Sequence, residues 1–211
     1  MLDATATPHP HPLVALAGFA RSGKDTAARG LIEADGFERV AFADPIREAL
    51  YRANPLLDTH TGTRVREFVD AEGWEWAKRK EPEVRRLLQE VGQAMREVAG
   101  EDVWVRAALK RAQELDRPVV FTDTRHENEA QAVRSLGGIV LRIERPGVGP
   151  VNDHVSDQGL PPYVVDRVIP NTSTPEALGS FTRAVVRQYG LLPTVDGQLP
   201  ARLTPPAERS A

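Results

Sequence analysis

Cysteine is missing from the 211 residues of this chain. That removes disulfides, thiolate nucleophiles, iron–sulfur clusters and cysteine-ligated zinc, and it suits a reducing compartment. Lysine is nearly as scarce: of 27 cationic residues only Lys24, Lys78, Lys80 and Lys110 are lysines, against 23 arginines. So strong a bias reflects coding preference, so a single arginine says little about function, whereas a lysine is less readily filler. An excess of positive charge is also absent. The 27 Lys+Arg stand against 30 Asp+Glu, a net charge of −3, which argues against a bulk electrostatic grip on nucleic acid. The longest apolar run near the start, Leu13–Ala17, is far short of the ~20 residues that cross a bilayer. It follows an acidic, proline-rich stretch rather than a basic one, so no secretory signal is expected. There is no internal repeat. What remains is a soluble globular protein whose length fits one domain.

Residues 1–12 read as a floppy leader in which His9 and His11 alternate with proline, and residues from about 190 to 211 read as a tail. Between them, strands and helices alternate. Strands are expected at Leu13–Ala17, Arg39–Ala43, Pro118–Thr122, Ile139–Glu144 and Arg167–Ile169. Helices are expected at about 23–34, 46–52, over much of 64–98, and at about 101–115, 126–136 and 175–188, with Asp44-Pro45 as an N-cap and first-turn pair for the second. Such alternation predicts an α/β protein: a parallel sheet covered on both faces, with ligands at the carboxyl ends of its strands.

The first strand runs into GFARSGKDT, Gly18 to Thr26. A loop that cradles phosphate needs backbone N–H groups pointing inward and a helix N-terminus behind them. Gly18 and Gly23 supply conformations a side chain would block, Lys24 reaches the terminal phosphates, and Thr26 offers a hydroxyl to Mg²⁺. Asp25 separates the lysine from the hydroxyl, a departure from the strict pattern. Gly18, Arg21, Ser22, Gly23, Lys24, Asp25 and Thr26 are therefore the candidate ATP-binding residues. Kinases, GTPases and ATPase motors all use such loops. The Asn-Lys-x-Asp motif of a GTPase is absent, and a motor usually needs a larger chain.

On the helix over 83–98, spacing of about 100° per residue puts Val84, Leu87, Leu88, Val91, Met95 and Val98 on one apolar stripe. Arg85, Gln89, Gly92 and Arg96 form a second stripe at its edge, and Glu83, Arg86, Glu90, Gln93 and Glu97 take the solvent side. The second stripe fits a cleft wall, with two guanidiniums to fork a phosphate, an amide to read a base edge, and Gly92 leaving room for a ligand.

In sequence order the chain shows RSGKDT (21–26), GFERVAFADPIRE (36–48), RRLLQEVGQAMR (85–96), Trp104-Val105, FTDTRHENE (121–129), GGIVLRIERP (137–146), HVSD (154–157) and IPNTSTPEAL (169–178). With these motifs it resembles the deoxynucleoside monophosphate kinases of bacteriophages, within the nucleoside monophosphate kinase superfamily, over roughly residues 13–186. Asp157 stands where that family more often has Glu. The resemblance implies a three-layer α/β/α P-loop kinase with a five-stranded parallel sheet, a helical acceptor-binding insertion at about 53–98 and a lid-like loop at 146–162. It implies transfer of a phosphoryl group from ATP, with Mg²⁺, to a deoxynucleoside monophosphate. Asp123 would hold a metal-bound water, or merely cap the helix that follows, and Thr26 would be the other metal contact. Arg125 would extend over the phosphates, and Arg145, in preference to Arg142, would reach the transition state from the base of the lid. His154 and Ser156 would make lid hydrogen bonds, and Asn171 would read the ATP base. Arg47 and Asp44, after the second strand, would join Arg85, Gln89, Gly92 and Arg96 around the acceptor. Asn128 and Glu129 read as structural. The implied partners are small-molecule nucleotides, with no nucleic acid and no membrane, for a monomer or homodimer in the cytoplasm, the host's if phage-encoded. Dephospho-coenzyme A kinase, a phosphomevalonate-type kinase and a nucleotide-binding regulatory module without catalysis remain as alternatives.

Overall fold

The computed structural model describes residues 8–58, 61–149 and 159–193. Its elements are β1 (Leu13–Ala17), α1 (Lys24–Asp35), β2 (Glu38–Val40), α2 (Asp44–Ala53), α3 (Val65–Glu72), α4 (Trp74–Lys80), α5 (Pro82–Ala99), α6 (Val103–Gln113), β3 (Val119–Thr124), α7 (Glu127–Ser135), β4 (Ile139–Glu144), β5 (Arg167–Pro170) and α8 (Pro175–Gln188), with a 3-10 turn at Pro162–Val164. They divide into two compact units, one formed by the chain up to Ala41 and from Leu109 onward, the other by Phe42–Ala108.

The first unit is a three-layer α/β/α fold. Its five strands are all parallel, in the order β2-β3-β1-β4-β5. β1 lies in the middle and is buried at every position, which is why its sequence is an unbroken apolar run rather than an alternating one. Val14 and Leu16 pack with Ala27, Ala28 and Leu31 of α1 and with Leu178, Val185 and Val186 of α8. Leu13 meets Val133 of α7 around Gly138. The helix after β1 and the helix after β3 thus cover opposite faces, and the carboxyl ends of these neighbouring strands open a crevice.

The α1–α8 contact sets the tightest packing of that face. A Cβ on Gly30 would lie 2.7 Å from Gly179 Cα, whereas one on Gly179 would lie 3.3 Å from Gly30 Cα. Two helix backbones touch there because neither carries a side chain.

Both ends of this unit extend beyond the expected boundaries. His9, read as part of a floppy leader, is 5% exposed. Its backbone N–H bonds to Leu136 O at 3.0 Å, its ring Nδ1 takes the His11 N–H at 3.2 Å, and Nε2 donates to Ala112 O at 3.3 Å. Pro12 O then accepts from Val119 N, joining the segment to β3. At the other end, Leu191 and Leu192 are buried in the α1/α8 core, so the tail begins later than residue 190; residues 194–211 lie outside the described part.

The second unit contains α2 to α5 and the first part of α6. Leu50, Val65, Val69, Ala77 and Val84 form its core, with Phe68, Trp74, Leu87, Leu88 and Val91 packed around them. The helical stretch expected over 64–98 is broken twice, at Gly73 (φ 77°) and at the extended Glu81 before Pro82. β2 stops at Val40 rather than Ala43, and α2 starts at Asp44. Ala43, already helical at φ −79° and ψ −14°, holds the N-cap position expected of Asp44 and offers no side-chain cap. The apolar stripe of α5 is also shorter than expected. Val84 is fully buried and Leu87, Leu88 and Val91 pack on the core, but Met95 is 38% and Val98 85% exposed, because the helix outruns the cluster it packs on. Among the described residues no helix is long and apolar enough to cross a membrane.

The glycine contact gives an ordered prediction. Gly30→Ala forces a Cβ against backbone and should cost about 1–3 kcal/mol, whereas Gly179→Ala, with the wider gap, should cost less. Thermal melts of the two variants check the order; equal melting temperatures would contradict the packing described.

Candidate active site

β1 ends at Ala17 and delivers the phosphate loop to the switch-point crevice. Gly18 has φ 135°, and a Cβ there would fall 2.4 Å from Ile143 O and 2.8 Å from Ser22 Oγ. Gly23, at φ 107°, would place one 2.4 Å from Asn171 Nδ2. Arg21, though not glycine, is also left-handed at φ 66°. These reversals turn the chain around a concavity ahead of α1, the arrangement that lets backbone N–H groups converge on an anion.

Lys24 spans this loop. Its ammonium donates to Gly18 O at 2.8 Å and Phe19 O at 2.9 Å. Burial, and next the Arg125 guanidinium, lower its pKa from the ordinary lysine range, while Asp25 and Asp123 act in the opposite direction. The structure therefore brings together four of the sequence candidates, two cations and two carboxylates. The two carboxylates oppose the effect of burial and of the second cation without cancelling it. An incoming polyanion would.

Two features fit the groups the sequence implies. The loop turns through left-handed backbone at Gly18, Arg21 and Gly23, and the buried hydroxyls of Ser22, within the loop, and Thr124, at the end of β3 beside Ala17, lack hydrogen-bond partners among the described residues. No group of three His, Cys, Asp or Glu among the described residues is arranged to hold a metal. Mg²⁺ is commonly held by substrate phosphates with one or two carboxylates. Thr26, with Arg29 and Glu33, lines a groove beside Glu176, Ser180 and Arg183 of α8. Asp25 and Asp123 are the oxygen donors near Lys24.

Asn171, expected to read the ATP base, supports the loop. Its side-chain Nδ2 donates to Ser22 O at 2.8 Å and its backbone N–H to Glu144 O at 2.6 Å. Of the two arginines at the end of β4, Arg142 pairs with Glu144 at 2.8 Å, whereas Arg145 lies exposed just beyond the strand. Of the lid-like loop, residues 150–158, with His154, Ser156 and Asp157, lie outside the described residues.

In the second unit, Arg85 and Gln89 are exposed on α5, Arg96 is half-buried, and Gly92 is buried. The room expected beside Gly92 for a ligand is taken by Ile46, whose Cδ1 would lie 3.4 Å from a Cβ there, and the Gly92 carbonyl accepts the Trp104 indole N–H at 2.9 Å. Gly92 packs α5 on α2. Arg86 is held by Glu83 at 2.5 Å and by Glu90, as its solvent-side position requires. Arg47, only 18% exposed, pairs with Glu75 at 2.8 Å, with Asp44 3.6 Å away.

Sequence reasoning missed three partners. Glu75 on Arg47 and Asn171 on Ser22 join residues far apart in the chain, and no local pattern marks them. Glu129 carried a signal: His126-x-x-Glu129 has the spacing of a capping box, and the structure forms one there.

The model of the family described as deoxynucleotide monophosphate kinase matches residues 64–181. The chain belongs to the deoxynucleotide monophosphate kinase family. The match takes in α5, the end of β3 and Asn171; the phosphate loop lies ahead of it and is read here from its own geometry. A protein of Acanthamoeba polyphaga mimivirus is 29% identical to this chain across 70% of it and 81% of the relative. The deoxynucleotide monophosphate kinases of Escherichia phage RB69 and Enterobacteria phage T4 are 34% and 36% identical over 68 and 61 residues, 28% and 25% of their own lengths.

For this family member, the Asn171 bond predicts a loss that ignores the donor's base. Asn171→Ala releases the Ser22 carbonyl, worth about 1 kcal/mol, and should raise KM several-fold for ATP and GTP alike. Steady-state kinetics with both donors checks this; a loss confined to ATP would restore the base-reading role.

Proposed function

We propose that this chain catalyses ATP-dependent phosphorylation of a deoxynucleoside monophosphate, giving the diphosphate and ADP. The observation that carries the reading is the Lys24 ammonium lying across the Gly18–Gly23 loop at the carboxyl end of β1, in a member of this kinase family. Dephospho-coenzyme A and phosphomevalonate kinases share the loop but belong to other acceptors.

The reaction needs no dedicated base. A phosphomonoester has a second pKa near about 6, so the acceptor oxygen is already anionic at neutral pH. The protein's work is alignment and neutralisation of charge on the group in flight. Lys24 supplies a compact charge with three donors, a role that guanidinium geometry serves less well. Arg125, beside it, covers the phosphates, and Arg145 adds a further cation at the end of β4. Asp25 and Asp123 would hold Mg²⁺ together with the nucleotide, and the ion would supply positive charge against that of the phosphates. In the second unit Arg85 and Arg96 offer fork geometry to the monophosphate, Gln89 an amide for its base, and Arg47, oriented by Asp44 and Glu75, another phosphate contact.

Two sets of variants test this. Lys24→Met should lower kcat by about three orders of magnitude or more with little change in melting temperature, since it removes charge aimed at the transferring group; near-normal turnover in the folded variant would remove the phosphate-loop assignment. Arg85→Ala and Arg96→Ala should each raise KM for the monophosphate about tenfold or more and leave KM for ATP nearly unchanged. Arg86→Ala should change neither and cost at most about 1 kcal/mol of stability. An Arg86 variant as impaired as the Arg85 one would put the acceptor face elsewhere on the helix.

A further inference from the structure

We infer that Glu129 is a positioning residue for phosphoryl transfer, its buried carboxylate fixing the turn that carries Asp123 and Arg125 from β3 into α7. The inference rests on the reading of Arg125 as a phosphate contact.

Glu129 is 2% exposed. One of its oxygens, Oε2, accepts the backbone N–H of Arg125 at 2.8 Å and that of His126 at 3.1 Å. The His126 side chain answers by accepting the backbone N–H of Glu129. The reciprocal pair between 126 and 129 is a capping box, and by itself it would explain a glutamate here. The bond to Arg125 goes further, because Arg125 precedes the N-cap and belongs to the turn rather than to the helix. A carboxylate that only capped α7 would do so from the surface without the desolvation cost of burial, which amounts to several kcal/mol per ion. Burial becomes tolerable because two backbone donors and the positive end of the helix all favour the ionised form. The result is a stiff link. Residues 125 and 126 are both bound to one oxygen, so the path from Asp123 to the helix has little freedom, and the Arg125 guanidinium stays where Lys24 senses its charge.

Reach, more than charge, is what this role needs. Glu129→Gln keeps an oxygen able to accept both N–H groups, whereas Glu129→Asp keeps the charge and draws it back by one methylene. On a well-folded background, Glu129→Asp should lower kcat about tenfold or more, with KM for ATP within about threefold of normal, and Glu129→Gln should stay within about threefold of normal kcat. A double-mutant cycle separates positioning from a general structural role: in the presence of Arg125→Ala, Glu129→Asp should add little further loss of kcat. Circular dichroism and a thermal melt establish that each variant is folded, and Glu129→Gln keeps the test decisive if the aspartate variant is not, since a tenfold fall in its kcat would contradict the reach argument. Normal kcat in folded Glu129→Asp, or losses that multiply with those of Arg125→Ala, would overturn the inference. Absence of turnover by the unmodified chain on any deoxynucleoside monophosphate would instead overturn the proposed function.

Discussion

The first unit is organised around an ammonium held inside a loop. Lys24 gives up part of its hydration to lie against the carbonyls of Gly18 and Phe19, and it is stable there only because the loop conformation presents those oxygens. That conformation in turn needs residues without a Cβ at 18 and 23, where the Ile143 carbonyl and the Asn171 amide come too close for one. The loop is thus fastened from β4 and from the end of β5, with Asn171 bonding to both Ser22 and Glu144. The parallel sheet converts this local requirement into an address: β3 pairs with β1 from Leu13–Val119 to Ala15–Phe121, and one extra residue on β3 precedes the Ala17–Thr124 pair, so Asp123 and Arg125 leave the strand next to the lysine.

Two cations and two carboxylates share this site, and burial is the largest influence on the lysine among them. The burial that lowers the Lys24 pKa makes the site receptive to a polyanion, and the carboxylates of Asp25 and Asp123 keep it from being merely repulsive. In the second unit the cations are handled otherwise. Arg86 is neutralised by two glutamates on its own helix and Arg47 is steadied by Glu75, so the arginines of one short segment differ in what they have left to offer a ligand. In a chain with 23 arginines, partner geometry distinguishes them better than residue type does.

Much of the fold was legible because its signals are local. Continuous apolar runs marked β1, β3 and β4, and Gly36 closed α1 through a left-handed cap. The loop glycines and Lys24 were readable for the same reason, since the motif lies within nine consecutive residues. What failed was long-range. His9 looked like filler because only tertiary contacts with residues 103 and 127 positions away bury it. Asn171 acts on a residue 149 positions distant. The helical period of α5 was right, but Met95 and Val98 are exposed because the period cannot say where the neighbouring core ends.

The central claim is that two nucleotides exchange a phosphoryl group on this chain. Phosphorus NMR of the unmodified protein with ATP, Mg²⁺ and each deoxynucleoside monophosphate in turn tests it most directly. The account predicts ADP and a deoxynucleoside diphosphate appearing in equal amounts with at least one monophosphate, and no build-up of inorganic phosphate. ADP accompanied only by inorganic phosphate, or no reaction with any of the monophosphates, would contradict it.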